Sequence, residues 1–452
     1  MRMLATLIGL GALATPLVAQ SSPTSLTIYN DGRVLVRRSV PEPVPRGVST
    51  HRMALGALDL STLFSLDPTV VITGASYDGA TDMQSVLRRS IGRLLTFRRG
   101  SATNTVEAKV LGVDPERYEM PDGTITFNMP GTPQFPRDLV VINPVVRLDV
   151  DSRRNREQLN LGYFTSGGSW QASYQAILGG DDARVLGSAV VAVDRLNVEG
   201  ASVQLLAGSV GRAAPMRDES RFQRRMAVGA FEEGAIATEE RVGEFHLYTL
   251  PGTLDLAPGV ETSTALFDPA TTAYERRYVL RGVMPYRGPL PQVGEMPESP
   301  VEVRYTLTRE RGGGNDFGDT PLPGGVIRLY QADEAGRLQL IGEANLRHTA
   351  AGSDVTVSAG LAFDITAKRV QTSYTTVKRG RYTYATADYE VRLSNATDQD
   401  VTVDVLEERF GEWSVLESSV AAEKLSSTVT RFLVPVPAEG NAVLTYQLRV
   451  RW

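Results

Sequence analysis

The 452-residue chain contains no cysteine. Without a thiol, the protein cannot form a disulfide scaffold, hold a metal through thiolates or carry a lipid on an N-terminal cysteine. A chain of this length can bury a core large enough to fold without cross-links. The absence therefore excludes lipid-anchored lipoproteins and disulfide-rich secreted domains.

Histidine is scarce as well. His51, His246 and His348 are the only three, and no two of them have the spacing of an H-x-x-x-H zinc motif. The basic residues are nearly all arginine, and the net charge is −5. A mildly acidic chain is a poor candidate for binding nucleic acid, where neutralisation of phosphates dominates the affinity. We predict no metal, no cofactor and no nucleic-acid partner.

The chain begins with a short apolar segment that has the features of a secretory leader. Arg2 supplies the positive start, residues 4–13 are apolar, and Pro16 precedes small residues that end near Gln20. This pattern is typical of a signal peptide and is too short to anchor a chain in a bilayer. Cleavage after Ala19 and cleavage after Gln20 both fit, and an uncleaved amphipathic start or a buried strand is the alternative. We expect export to the periplasm or cell surface of a Gram-negative-type bacterium.

After the leader, the chain reads almost entirely as short β-strands, with no apolar run long enough for a transmembrane helix. Residues 26–30 and 33–37 alternate in polarity around an Asn-Asp-Gly turn, which predicts a β-hairpin. One helix is predicted to start at Asp82, because apolar residues follow it at helical spacing and Gly92 can end it. Further short strands predict a small SH3-like barrel. The final third alternates like the antiparallel strands of a β-sandwich.

The predicted fold class is therefore all-β: a multidomain chain rich in β-sandwich, with a small SH3-like barrel insertion and one short helix. We divide it into a signal peptide (1–20), an N-terminal β region (21–82), a helix with the small barrel (83–146) and a β-sandwich region (147–452). Within the last region, residues 211–243 are charged and poor in large apolar side chains, which predicts a flexible linker.

Five segments occur in an order that resembles the bacterial domain of unknown function 4139 family. They are Leu26-Thr-Ile-Tyr-Asn30, Trp170-Gln-Ala-Ser-Tyr174, Leu205-Leu-Ala-Gly208, Leu322-Pro-Gly-Gly-Val-Ile-Arg-Leu-Tyr330 and Leu444-Thr-Tyr-Gln-Leu-Arg-Val450. The resemblance covers the mature chain, most strongly residues 159–452. It implies a β-rich envelope protein without an assigned activity, and it supplies no catalytic residues. Some relatives have a coiled coil ahead of the conserved region, whereas this chain has no such heptads and the predicted small barrel occupies that place.

Three motifs that carry chemistry in other proteins are incomplete in this chain. Residues 207–211 half resemble a nucleophile elbow, but an alanine stands where the elbow needs glycine and no helix follows. Residues 312–316 resemble one fragment of a calcium-binding nonapeptide, which needs stacked turns to hold the ion. The acidic pairs at 181–182, 398–400 and 407–408 would serve a glycosidase only if two carboxylates faced each other across a cleft. We predict no catalytic residue. We interpret residues 207–211, 312–316, 181–182 and 398–400 as turns and loops.

Aromatic side chains are the remaining candidates for binding. Tyr163, Trp170 and Tyr174 could form a platform for a glycan, although aromatic residues on one face of a strand more often pack in the core.

A second group of tyrosines lies in a less apolar stretch and includes Tyr389. We predict that Tyr374, Tyr382 and Tyr384 contribute to a contact surface for an envelope protein or a glycan.

These observations favour an exported, non-catalytic envelope protein that acts as a scaffold or binding module. A carbohydrate-active or other hydrolase, whose carboxylates converge only in three dimensions, is one alternative. An outer-membrane β-barrel is another, because the last strand alternates and ends at Trp452, although barrel strands are about 10 residues long and most strands of this chain are shorter.

Overall fold

A computed structural model describes residues 24–100, 104–208, 238–242, 245–282, 293–296 and 300–452. The predicted signal peptide, nearly all of the predicted linker and the second half of the elbow motif lie outside the described residues. The structure is 63% strand and 4% helix, arranged in several sheets, which confirms the all-β multidomain prediction.

The strands of the first half, in chain order, have the following bounds: β1 Thr24–Tyr29, β2 Arg33–Val40, β3 Gly47–Met53, β4 Phe64–Ser65, β5 Val70–Asp78, β6 Leu94–Arg98, β7 Thr105–Val113, β8 Glu116–Glu119, β9 Ile125–Thr126, β10 Thr132–Gln134, β11 Val145–Ser152, β12 Leu159–Ser166, β13 Gly168–Leu178, β14 Asp182–Val193 and β15 Val198–Ala207. Those of the second half are β16 Thr238–Val242, β17 Phe245–Thr249, β18 Leu254–Leu256, β19 Glu261–Arg281, β20 Gly294–Glu295, β21 Val301–Leu307, β22 Gly325–Ala332, β23 Leu338–Leu346, β24 Val355–Leu361, β25 Ile365–Arg379, β26 Tyr382–Asn395, β27 Val401–Glu408, β28 Glu412–Ser418, β29 Ala422–Lys424, β30 Val429–Val436 and β31 Gly440–Arg451. The described residues also form a 3₁₀ turn at Leu60–Thr62 and two short helices, α1 Met83–Arg89 and α2 Asp316–Asp319.

The chain folds into two compact units. The N-terminal unit comprises the described parts of 1–170, 191–206 and 249–262. The C-terminal unit comprises the described parts of 171–190, 207–248 and 263–452.

The main sheet of the N-terminal unit is built around the predicted hairpin. Strands β1 and β2 pair antiparallel, with Leu26 opposite Val36 and Ile28 opposite Val34, and all four side chains are fully buried. Gly32 closes the turn at φ +89°, a conformation that costs glycine little. On its other edge, β1 pairs in parallel with β15. The hairpin prediction is confirmed, and the parallel pairing adds a long-range contact to it.

The predicted helix is α1, and Asp82 caps it. The Asp82 carboxylate accepts a hydrogen bond from the backbone N–H of Ser85 at 3.0 Å, which satisfies a donor at the helix start. Gly92 follows the helix at φ +84°, and β6 then begins. Strands β6–β10 form a five-stranded antiparallel sheet in the order β10-β6-β7-β8-β9, packed on a core that includes Leu87 and Phe97. The SH3-like barrel stays a prediction.

The C-terminal unit contains the sandwich. Its last sheet has the order β20-β25-β26-β31-β28, and the sheet that packs on it contains the run β19-β27-β30-β29. Residues from both sheets share one core, including Val403 and Phe432 from one sheet and Tyr389 and Leu448 from the other. Strands β26 with β31 and β27 with β30 are antiparallel. Strand β27 also pairs in parallel with β19.

Among the described residues, the helices are too short and too polar for any of them to cross a membrane.

Candidate functional site

The three tyrosines predicted to form a contact surface lie on one hairpin but not on one face. In the β25–β26 pair, Tyr374 stands opposite Ala387, a fully buried core residue, and packs against the sandwich core. Along β26, Tyr382 and Tyr384 are each an odd number of residues away from Ala387, and successive side chains of a strand point to opposite faces. They therefore lie on the outer face of the sheet. Tyr389, from the same stretch, is 1% exposed and belongs to the core.

Arginine side chains contact both Tyr382 and Tyr384. The guanidinium of Arg381 lies 4.8 Å from the centre of the Tyr382 ring and that of Arg451 lies 4.4 Å from it, distances typical of cation–π contacts. Arg451 also pairs with Glu412. The pKa of Arg451 is raised, chiefly by its hydrogen bond with Tyr384; desolvation opposes this shift, and Glu412 adds to it.

The same end of the sheet carries exposed apolar groups and further cations. Val377, opposite Tyr384 on the outer face, is 51% exposed, and Trp452 is 54% exposed. Arg379 stands opposite Tyr382. We call the set Val377, Arg379, Arg381, Tyr382, Tyr384, Arg449, Arg451 and Trp452 the hairpin-end surface. Within the part of the chain that the structure describes, no ion pair links Arg379, Arg381 or Arg449 to a carboxylate.

A second constellation, which the sequence analysis missed, lies in the N-terminal unit. Ser49 Oγ lies 2.8 Å from His51 Nε2, and His51 Nδ1 lies 3.1 Å from Glu42 Oε1. An ionised carboxylate only accepts hydrogen bonds, so Nδ1 carries the proton in the neutral imidazole and Nε2 accepts from the serine hydroxyl. This is the order of contacts in a Ser–His–acid triad.

Ser49 and His51 meet because they are two residues apart on β3 and therefore share a face. In the β3–β11 pair they stand opposite Val150 and Leu148, both fully buried. His51 is 6% exposed, Ser49 is half-buried, and the side chain of Glu42 is 41% exposed. The Ser-x-His spacing on an alternating strand was a signal for two of the three residues. Glu42 lies before the strand, and only the fold brings it to the ring.

A third constellation is a group of charged residues inside the C-terminal sandwich. Arg369, Glu407 and Arg409 are 4%, 0% and 1% exposed. Arg369 continues the buried parity of Ile365 and Ala367 on β25. Glu407 continues that of Val403 and Val405 on β27. Strand parity was therefore a signal that these charges face the core.

Both oxygens of the Glu407 carboxylate accept hydrogen bonds. Arg369 Nη1 donates to Oε2 at 2.9 Å, the hydroxyl of Tyr446 donates to Oε2 at 2.7 Å, and Arg409 Nη2 donates to Oε1 at 2.8 Å. Burial raises the pKa of Glu407, but the charges of Arg369 and Arg409 outweigh it, and the net shift is downward. Burial raises the pKa of the Tyr446 phenol well above its ordinary value. Glu407 is therefore ionised and Tyr446 neutral near neutral pH.

Gly282 lies against this group of charges. A Cβ atom at this position would stand 2.5 Å from Arg369 Nη1 and 3.1 Å from Glu407 Oε2. The position therefore leaves no room for a side chain while the ion pair is in place.

The aromatic residues considered for a glycan platform are core residues. Tyr163 and Tyr174 are fully buried and Trp170 is 7% exposed. The Tyr163 hydroxyl donates to the Leu55 carbonyl at 3.0 Å, and the Tyr174 hydroxyl donates to the Pro323 carbonyl at 2.7 Å. The interpretation as core is confirmed.

The remaining sequence motifs form turns. Asn315 caps α2 by accepting from the Gly318 N–H at 2.8 Å, and the Gly312 N–H bonds to Asp319. Asp400 accepts from the Ala438 N–H at 2.8 Å. Among the described residues, no group of three or more His, Asp or Glu side chains could hold a metal ion. Of the elbow motif, the structure describes only Ala207 and Gly208.

The sequence matches no protein-family model, no curated protein and no solved structure. These comparisons neither support nor refute the resemblance to the domain of unknown function 4139 family.

Proposed function

We propose that this chain is an exported, non-catalytic binding or scaffold module of the bacterial envelope, and that the hairpin-end surface contacts an acidic segment of a partner protein. The observation that carries this proposal is the grouping of Tyr382 and Tyr384 with arginines on the outer face at one end of one sheet, next to the exposed Trp452 that follows the last strand. Tyrosine, tryptophan and arginine are the residues enriched at the energetic centres of protein interfaces.

Charge supports an acidic partner. The whole chain has a net charge of −5, yet this surface contains Arg379, Arg381, Arg449 and Arg451. Among the described residues, only Arg451 of these four forms an ion pair, with Glu412 beside the surface. A cluster of positive charges on a chain of negative net charge attracts negatively charged partners and orients them during encounter.

Cross-linking of the tagged protein in its own envelope, followed by identification of captured molecules by mass, tests the proposal. The Tyr382→Ala/Tyr384→Ala double variant should lose the captured protein, while Lys368→Ala, on the outer face at the other end of β25, should retain it. Equal capture by the double variant and the wild type would remove the hairpin-end surface from the proposal. Capture of peptidoglycan or another glycan in place of a protein would make the chain a glycan binder.

We propose acyl-transfer hydrolysis as the second candidate, favoured by the Ser49–His51–Glu42 hydrogen-bond chain. In such a reaction His51 would take the Ser49 proton as Ser49 Oγ attacks an ester carbonyl, and Glu42 would orient and stabilise the resulting imidazolium. The imidazolium would return the proton to the alcohol that leaves as the ester C–O bond breaks, and water, deprotonated by His51, would then release the acid from Ser49.

A fluorophosphonate probe, which reacts with activated serine hydroxyls, tests this second function. Labelling of the wild type that is lost in both Ser49→Ala and His51→Gln, but retained in Ser85→Ala, would favour the hydrolase. No labelling of the folded wild type, or labelling that persists in Ser49→Ala, would leave the hydrogen-bond chain as a structural feature of β3.

A further inference from the structure

The charged group inside the C-terminal sandwich is not electrically balanced. Two guanidinium groups, of Arg369 and Arg409, face one carboxylate, that of Glu407, so the group carries a net charge of +1. Burial raises the cost of an uncompensated charge, and buried charges in proteins are therefore paired or bound to an ion.

Arg369 also presents donors that remain unused. Within the described part of the chain, Arg369 Nε and Nη2 have no hydrogen-bond acceptor. Arg409 Nε and Nη1 make no hydrogen bond of normal geometry either, although Tyr389 lies beside this guanidinium and interacts with it. Buried donors of this kind are rare in folded proteins. Two such donors on one edge of Arg369, in a group with a surplus positive charge, therefore indicate a site for an anion.

Arg309 shows that this arrangement is not general for buried arginines of this unit. Arg309 is 2% exposed, but its Nε donates to the Phe317 carbonyl at 2.6 Å and its Nη2 to the Thr320 carbonyl at 2.6 Å. Its Nη1 donates to two further carbonyls, those of Ala350 and Ser353, at 2.8 and 3.0 Å. Every guanidinium nitrogen of Arg309 is thus in use.

The geometry of Arg369 indicates which class of anion fits. Glu407 occupies Nη1, whereas Nε and Nη2 form the opposite edge of the planar guanidinium. Two parallel N–H groups on one edge match the two oxygens of a carboxylate or phosphate group. A halide offers one centre and cannot satisfy such an edge in the same bidentate way.

We propose that the interior of the C-terminal sandwich binds one small oxyanion, held bidentate by Arg369 Nε and Nη2, with Arg409 supplying the surplus positive charge. The bound anion would bring the charge of the group to about zero and use the free edge of Arg369. Glu407 serves as the fixed counter-ion that positions both guanidinium groups, with Tyr446 locking its orientation.

Thermal unfolding of the full mature chain in sodium acetate or sodium phosphate, compared with sodium chloride at equal ionic strength, tests the proposal. We expect the midpoint to rise with oxyanion concentration by about 3 °C for each tenfold increase above the dissociation constant. An Arg369→Lys variant keeps the charge but lacks the fork, and its midpoint should respond equally to acetate, phosphate and chloride. Mass analysis of the small molecules released on denaturing the purified protein would identify an anion retained from the cell.

An equal effect of chloride and oxyanions on the wild type, together with no released anion, would overturn the proposal. An oxyanion effect that Arg369→Lys retains in full would overturn it as well.

Discussion

Glu407 organises the interior of the C-terminal sandwich. Its two oxygens accept from two arginines and a tyrosine, and none of the four side chains involved is more than 4% exposed. In such a setting the interaction between charges is much stronger than in water, and the loss of one partner exposes the full cost of burying the other. Loss of the Glu407 charge should therefore cost much more stability than loss of the charge on Glu408, its neighbour on the opposite face of the strand.

We predict that Glu407→Gln lowers the free energy of unfolding by about 3–5 kcal/mol, because two buried guanidinium groups lose their counter-charge. Glu408→Gln is the matched control. Its carboxylate pairs with Arg281 where both side chains are more than 40% exposed, and its loss should cost less than about 1 kcal/mol. Urea unfolding of the three proteins measures both differences. Equal costs for the two variants would contradict the prediction.

The same carboxylate predicts a pH dependence. Glu407 has a folded-state pKa below its ordinary value of 4.5, so the folded state releases its proton more readily than the unfolded state. Its contribution to stability is therefore complete above pH 4.5 and is lost as the pH falls toward the folded-state pKa. The difference in unfolding free energy between the wild type and Glu407→Gln should be constant from pH 7 to pH 5 and shrink below 4.5. A difference that widened on acidification would show that the sign is wrong.

At the scale of elements, Arg309 joins segments that regular pairing does not hold. Its guanidinium donates to the carbonyls of Phe317 and Thr320 at α2 and to those of Ala350 and Ser353 in the loop before β24. Its own backbone N–H donates to Asp354 at 2.9 Å. These bonds satisfy carbonyls in irregular chain segments, where no strand neighbour is available to do so.

We predict that Arg309→Met lowers the unfolding free energy by at least about 3 kcal/mol, because it leaves several carbonyls without a donor. Arg311→Met is the control, since Arg311 is exposed and makes one long contact, of 3.3 Å, to the Ala351 carbonyl. Hydrogen exchange should show faster exchange at the N–H groups of Thr320 and Gly352 in Arg309→Met alone. Unchanged exchange there would mean that the backbone bonds suffice without the guanidinium.

Elements with local signals were predictable, and elements with distant partners were not. The β1–β2 hairpin follows from its turn residues, and the start of α1 follows from the Asp82 cap. The parallel pairing of β1 with β15 joins Leu26 to Val203, and nothing near either strand indicates the other. The separation of Tyr374 from Tyr382 and Tyr384 has the same kind of cause: Tyr374 packs against the core because its pairing with Ala387, across a β-bulge, sets its parity. Its part in a contact surface stays a prediction.

At the scale of the whole chain, composition and the leader make a prediction about location that the fold does not test. If residues 1–20 are a signal peptide, the exported protein should begin at Gln20 or Ser21. Expression of the full chain in a Gram-negative host, followed by periplasmic extraction and intact mass measurement, would check this. Recovery in the cytoplasm of a chain with the mass of all 452 residues would contradict export.

The sequence alone determined the all-β class, because polarity alternates with period two along most of the chain and this period is a property of each strand by itself. It also determined the absence of disulfide and thiolate chemistry, because no cysteine is present. Only the tertiary structure decided which side chains meet. Arg369 and Glu407 are 38 residues apart, and Glu407 and Tyr446 are 39 residues apart. The packing of two sheets brings all three side chains together. Each strand fixes the face of its side chains, and the pairing of distant strands fixes their neighbours.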